Sequence, residues 1–146
     1  MNNELSNSQT LVFLEILQIL RDEKNILTRK KIYEFYIDEK LNNKISLNLE
    51  KRTFVEKLNG TFDEIGFLVE EFNLQESLFP LYSDTIRRVW ISLQKDIERE
   101  QNERKKQDPN YVRFGYYFTQ LAINAKKYRD SNNLQEPGFT DLRNLK

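Results

Sequence analysis

The chain has 146 residues, a length that favours one domain, and its 23 basic and 23 acidic side chains cancel, so no net charge draws it to nucleic acid or a membrane. Cysteine and histidine are absent, which excludes disulfides, thiolate chemistry, histidine-based catalysis and most transition-metal sites. Four glycines and three prolines are too few for the tight turns of a sandwich, barrel or doubly wound sheet. We therefore predict an all-α, single-domain bundle of about five helices over residues 8–130, with a flexible N-terminus at 1–7 and a C-terminal tail at 131–146.

The first predicted helix spans residues 8–23 and is capped by Asn7 or Ser8. Its apolar side chains cover more than one side of the helix, so we expect it either at the centre of the fold or against a second chain. A symmetric dimer would cover the surplus with the same patch from its mate. We favour this homodimer over an enclosed helix, with an interface of Phe13, Ile16, Leu17 and Leu20.

The second helix is predicted over residues 28–40, with Thr28 as its cap. Its predicted inward face consists of Ile32, Phe35, Tyr36 and Leu41. Asn48 is predicted to cap a third helix, in which apolar residues recur at threes and fours. Gly60 and Gly66 lie inside this pattern, and glycine costs about 1 kcal/mol relative to alanine in a helix interior. One of them is therefore expected to mark a break or a close helix contact, and Gly60 is the better candidate for the break.

A connector or short helix limited by Pro80 is predicted over residues 73–83, after which Ser83 or Asp84 caps a long fourth helix. Spacing of three and four predicts one buried stripe in that helix, made of Ile86, Val89, Trp90, Leu93 and Ile97. Residues 98–107 contain no apolar side chain. They are expected to project into solvent as a charged helix or to fray.

Asp108 and Pro109 predict the start of a fifth helix, because aspartate caps helices and proline is tolerated at the first helical position. The side chains expected to face inward are Tyr111, Phe114, Tyr117 or Phe118, Leu121 and Ala125. From Ser131 onward the composition changes to asparagine, proline, glycine and isolated charges. We expect this tail to be ordered only where it docks.

Charge is segregated along the chain, and residues 62–84 hold six acids without a lysine or arginine. Two interpretations stay open for this acidic segment. In the interpretation that we favour, these acids and the bases of residues 99–129 are solvated faces that pair with each other across adjacent helices. In the other, the acids form a docking surface for a basic partner protein. Neighbouring acids on a helix point about 100° apart, so one adjacent pair cannot chelate a Mg²⁺ ion unaided. A metal-dependent enzyme is therefore our third choice of function, after a protein-interaction module and an RNA-binding protein. The residues concerned are Asp63, Glu64, Glu70, Glu71, Glu76 and Asp84.

Basic side chains dominate residues 99–129, where eight bases face three acids. Together with nearby tyrosines they could contact RNA phosphates and stack on bases, gaining affinity by counterion release. Interleaved acids such as Glu100 and Glu103 would repel a phosphate backbone, and Glu100 with Arg104 has the spacing of an ordinary helix-surface pair. RNA binding is therefore possible but not favoured, and its candidate residues are Arg99, Arg104, Lys105, Lys106 and Arg113.

Arg87 and Arg88 occupy the fourth helix, which must be partly buried. An arginine facing inward needs a carboxylate partner, because an unpaired buried charge is very costly. The carboxylates available nearby in sequence are Glu70, Glu71 and Asp84. We favour the alternative, in which both stems lie along the surface and both guanidinium groups stay in water.

Three segments in order carry a resemblance: FDEIGFLV at 62–69, LYSDTIRRVW at 81–90, and DPNY at 108–111 before a helix that ends near AKKY at 125–128. They resemble a family of small bacterial helical proteins known as a domain of unknown function. In that family F-[DE]-x-[IL]-G-x-L precedes a D-x-[IL]-x-x-x-W helix and an aromatic closing helix. Many relatives carry a membrane-spanning helix before this domain. The chain shows no such segment, and we expect no membrane role.

A more distant likeness is to the HEPN-like accessory proteins of RNA-targeting CRISPR systems. HEPN ribonucleases use an arginine followed four to six residues later by histidine, and this chain has no histidine, so the resemblance implies a catalytically inactive bundle. We predict a non-enzymatic protein-interaction or regulatory module without a cofactor, with an RNA-binding, HEPN-like accessory protein as the alternative. The family likeness implies a setting in bacterial or phage conflict. The polar start and a most apolar run of only residues 11–20 predict a cytoplasmic protein without a membrane span.

Overall fold

The structure, a computed structural model, describes residues 4–42 and 49–139. They form five helices, which are α1 (Asn7–Arg21), α2 (Glu23–Asn42), α3 (Leu49–Phe72), α4 (Gln75–Gln107) and α5 (Tyr116–Ser131). Those two ranges contain no strand, so the predicted all-α bundle of five helices is confirmed.

The core is centred on α3, which contacts each of the other four helices, while α5 packs against both α3 and α4. Phe118 of α5 joins these elements, because its ring centroid lies 5.2 Å from that of Phe62 in α3 and 5.2 Å from that of Trp90 in α4. Trp90 is 7% exposed, and the other four residues of the predicted α4 stripe are completely buried. The prediction of this stripe as core is confirmed.

The side chains predicted to form a dimer interface face the interior of a single chain. Ile16, Leu17 and Leu20 are buried, and Phe13 packs half-buried against the core, because α1 lies against α2 and α3. A dimer through these residues would require the core to open, so the choice of interface is wrong. Leu11 and Leu14 of the same helix are 70% and 50% exposed, so one chain covers only part of the apolar surface that suggested the dimer, and dimerisation itself stays a prediction.

The first two helices begin earlier than predicted because their local hydrogen bonds differ from the expected caps. Ser6 caps α1, since its hydroxyl accepts from the backbone of Gln9 while the Gln9 side chain accepts from the backbone of Ser6. Only Asp22 separates α1 from α2, so Thr28 lies inside α2, where its hydroxyl donates to the Lys24 carbonyl oxygen. On the predicted inward face Ile32 is buried, Phe35 and Tyr36 are half-buried and Leu41 is exposed.

The two glycines of α3 have different surroundings, and neither interrupts the helix. Gly60 faces open space, so the predicted break there is wrong. Gly66 lies against α5, where a Cβ atom would be 2.4 Å from the Tyr117 carbonyl oxygen. The close helix contact expected of one glycine is therefore made by Gly66. The predicted cap Asn48 lies outside the described residues.

Helix α4 is longer than predicted and begins before its proline. It starts at Gln75 and continues through Pro80, so the predicted connector is helix and the predicted caps Ser83 and Asp84 lie within it. Pro80 is exposed in the second turn, where it removes one hydrogen bond of the ladder without ending the helix. The charged end is helical up to Gln107.

The residues that were predicted to start the fifth helix instead form the connection between α4 and α5. The Asp108 N–H donates to the Arg104 carbonyl oxygen at the end of α4, and the Asp108 carboxylate accepts from the Asn110 N–H. Asp108 and Pro109 thus form a turn, as this pair of residue types also favours. Helix α5 begins only after Gly115, whose φ of 68° is left-handed. Its buried residues are Phe118, Leu121, Ala122 and Ala125.

Candidate functional site

Of the five basic residues proposed for RNA binding, Arg99 and Arg104 line a cleft of about 910 Å³ between the start of α3, the end of α4 and the connection to α5. Four basic and five acidic side chains line this cleft. Arg99 pairs with Asp96 at 3.4 Å, and buried Lys51 pairs with both Glu39 and Asp96. Among the candidate residues Arg104 and Lys106 are also in ion pairs, whereas Lys105 and Arg113 are exposed and have no ion pair in the described part of the chain.

Arg104 attaches the connection before α5 to the end of α4. Its Nε donates to Glu100 Oε1 at 2.8 Å, and Nη1 donates to the Tyr111 hydroxyl at 2.8 Å. The guanidinium carbon lies 4.6 Å from the Phe114 ring centroid. The hydrogen bond with Glu100 raises the pKa of Arg104 above its usual value. Arg104 is thus engaged within the chain, and the mixed charge of the cleft does not favour a phosphate backbone.

Two acids of the acidic segment stabilise the starts of helices, and a third bonds to the adjacent backbone inside α4. Asp63 accepts a hydrogen bond from the Phe118 N–H at 3.0 Å, which supplies a cap to α5 that the side-chain-free Gly115 cannot provide. Asp84 accepts from the Thr85 N–H at 2.8 Å. Glu76 lies in the first turn of α4, where a negative charge is favourable.

The other three acids surround an exposed ring on α3. Glu64, Glu70 and Glu71 are exposed, and within residues 4–42 and 49–139 they have no ion pair or side-chain hydrogen bond. Phe67 is three or four positions from each, so all four are neighbours on the helix surface. The prediction that this segment pairs with the basic segment is wrong, because no ion pair between described residues joins the two.

Two tyrosines of α5 extend the exposed ring surface. Phe67 is 42% exposed and Tyr116 is 45% exposed. The Tyr117 ring packs edge to face against both, with its ring centroid 5.2 Å from that of Phe67 and 5.1 Å from that of Tyr116. The Gly66 contact with the Tyr117 backbone brings α3 and α5 close at this point. We call this surface the acidic–aromatic face, formed by Glu64, Phe67, Glu70, Glu71, Tyr116 and Tyr117.

A second surface binds the C-terminal tail, and its charged side chains are basic rather than acidic. Arg87 is 7% exposed, and its Nε and Nη2 donate to the two carboxylate oxygens of Glu136 at 2.8 and 2.6 Å. Its Nη1 donates to the Ala122 carbonyl oxygen at 3.2 Å. The hydrogen bonds from Arg87 hold the pKa of Glu136 below its usual value. The solvated placement that we favoured for Arg87 is therefore wrong, as are the three predicted carboxylate partners.

The tail makes further contacts with α2, α4 and α5. Arg88 Nε donates to the Gly138 carbonyl oxygen at 3.1 Å, so its head contacts the tail as well as solvent. The Phe139 ring centroid lies 4.7 Å from that of Tyr36 and 6.0 Å from that of Tyr33, whose pKa burial raises to about 12. We call this surface the tail groove, formed by Tyr33, Tyr36, Arg87, Arg88 and Arg129.

No group of three or more acidic side chains in the described part of the chain is placed to hold a metal ion. None of the described helices is long and apolar enough to cross a membrane. No protein-family model, no curated protein and no solved structure matches this chain. The two family resemblances therefore stay expectations, and the exposed chemistry of the folded chain is the basis for a function.

Proposed function

We propose that this protein is a non-enzymatic protein-interaction module that binds a basic partner protein through the acidic–aromatic face. The observation that carries the proposal is the group of three exposed glutamates around the ring of Phe67, none of which forms an ion pair with another described residue. Aromatic side chains are enriched among the residues that dominate binding energy in interfaces. Charge of one sign around such an anchor speeds encounter with an oppositely charged partner and disfavours partners of the same sign.

The chemistry of the face defines the partner. A lysine or arginine of the partner can pair with Glu70 or Glu71 while its cation lies over an exposed ring of Phe67 or Tyr116, which adds a cation–π attraction. Apolar side chains of the partner would cover the remaining ring edges. The ligand that fits best is therefore a segment with both basic and apolar side chains.

This chemistry favours a protein partner over RNA. The acidic–aromatic face repels phosphates, and the basic residues at the far end of α4 are largely neutralised by Glu100, Glu103 and Asp96. RNA affinity depends on cations that are free to replace counterions. Only Lys105 and Arg113 among the five candidates are without an ion pair in residues 4–42 and 49–139.

Capture of partners by the immobilised full chain from a lysate of its native host tests the proposal. Phe67→Ser and Glu70→Lys should each remove one basic protein from the set captured by the wild type. Leu27→Ser and Glu15→Lys make the same chemical changes at exposed positions of α2 and α1, and should leave that protein bound. Equal recovery by all five chains would contradict the proposed face.

A further inference from the structure

The tail groove places a buried cation beneath a segment that has no regular secondary structure. Arg87 projects from the middle of α4, and the carboxylate that it binds belongs to Glu136, which is 49 residues away in sequence. A buried guanidinium with a two-point hydrogen bond to a carboxylate gives geometric specificity as well as attraction. The groove thus contains a site built for one carboxylate.

Other side chains of the groove donate hydrogen bonds to main-chain carbonyl oxygens of the tail. Arg129 donates from Nε and Nη2 to the Gln135 carbonyl oxygen at 3.2 and 2.6 Å, and its Nη1 is held by the Ser83 hydroxyl at 3.1 Å. Arg88 donates to the carbonyl oxygen of Gly138. Carbonyl groups are common to all sequences, so these contacts hold the backbone of the segment rather than particular side chains.

Side-chain selectivity comes from two positions three residues apart. Arg87 selects the carboxylate of Glu136, and the rings of Tyr33 and Tyr36 select the aromatic ring of Phe139. Pro137 between them has no N–H group, so it leaves no backbone donor without a partner. The groove therefore recognises the pattern acid-x-x-aromatic in a segment without regular secondary structure.

The tail is held in a way that permits its release. Leu134 donates its N–H to the Arg129 carbonyl oxygen, and beyond it no backbone-to-backbone hydrogen bond involves the tail up to residue 139, where the described part of the chain ends. Segments with few such bonds and much exposed backbone open at the lowest free energy. Release would remove the carboxylate that Arg87 binds at two points, and a carboxylate from another chain could restore both hydrogen bonds.

We propose that the tail groove is a second recognition site, which binds a segment of a partner protein with the pattern acid-x-x-aromatic and no regular secondary structure, and which the chain's own tail occupies in the absence of that partner. This site goes beyond the proposed function, because it takes an acidic segment on three arginines, whereas the acidic–aromatic face takes a basic one. The tail competes at the high effective concentration of a short tether, so it sets a threshold that the partner must exceed.

Fluorescence anisotropy with a labelled peptide of residues 133–140, NLQEPGFT, tests the site in the full chain. The double variant Glu136→Gln/Phe139→Ala loses both anchors of its own tail, so it should bind the peptide at least about ten-fold more tightly than the wild type. Peptides with Glu136→Gln or Phe139→Ala should lose this binding. Gln135→Ala in the full chain is the matched control, because only the backbone carbonyl of Gln135 contacts the groove.

Equal affinity of the double variant and the wild type would overturn the proposal, as would equal binding of the peptide without its carboxylate. Circular dichroism verifies that the variant is folded. If the double variant does not fold, NMR of the wild type with excess unlabelled peptide replaces it. Exchange in the groove should then move the amide signals of Glu136 and Phe139 toward unfolded positions, and unchanged signals would overturn the proposal.

Discussion

Gly60 and Gly66, six positions apart in α3, show how the surroundings of one residue decide the effect of an added methyl group. Gly60→Ala should stabilise the fold by about 1 kcal/mol, because the new Cβ meets no atom within 4 Å and alanine favours the helix. Gly66→Ala should destabilise it by about 1–3 kcal/mol, because the Cβ would collide with the Tyr117 backbone and force α5 away. Urea denaturation measures both changes, and effects of the same sign would refute this account of the α3–α5 contact.

The Arg87–Glu136 pair predicts how docking of the tail depends on pH. Hydrogen bonds from Arg87 lower the pKa of Glu136 in the folded chain, so the pair favours docking above the usual glutamate pKa. This contribution is lost as the pH falls through the lowered value. The amide signal of Phe139, followed by NMR during acidification, should therefore move toward its undocked position, and Glu136→Gln should start near that position. An acid transition that is identical in the two chains would contradict this role.

At the scale of helices, the start of α5 depends on a side chain from another helix. Asp63→Ala should destabilise the fold by about 0.5–2 kcal/mol, because the Phe118 N–H in the first turn of α5 would lose its acceptor. The adjacent Glu64→Ala is the matched control, since Glu64 is exposed without a hydrogen bond in the described part of the chain and should change stability by less than about 0.5 kcal/mol. Thermal unfolding compares the two. Equal losses would show that Asp63 is not a cap.

The interiors of the helices were predictable, whereas several of their ends were not. Apolar spacing identified the α4 stripe and the buried residues Leu121 and Ala125, because burial requires a periodic face, but it left open whether Tyr117 or the buried Phe118 faces inward. Ends depend on single hydrogen bonds, and Asp and Pro occur both at helix starts and in turns. Asp108 and Pro109 form a turn, and Pro80 lies inside a helix where a boundary was predicted.

At the scale of the whole molecule, the contacts missing from the sequence prediction are those between distant segments. Nothing in local spacing relates Arg87 to Glu136, and the prediction searched for its partner only among acids near the helix. The position of α1 was also decided by packing, since α2 and α3 enclose residues that could equally have formed a dimer. The acidic segment was recognisable from composition, but only the fold separates Asp63, Glu76 and Asp84 from the three acids that surround Phe67.

Binding of a basic protein segment to the acidic–aromatic face can be observed directly by residue-resolved NMR titrations of the full chain. One titration uses an amphipathic helical peptide of lysine and leucine, and the other uses single-stranded RNA at low and at physiological salt. We expect the peptide to shift the amide signals of Phe67, Glu70 and Tyr116, and RNA to leave the spectrum unchanged at both salt concentrations. Salt-sensitive shifts of Lys105 and Arg113 with RNA, together with unmoved signals of Phe67 and Glu70 with the peptide, would contradict the proposed function.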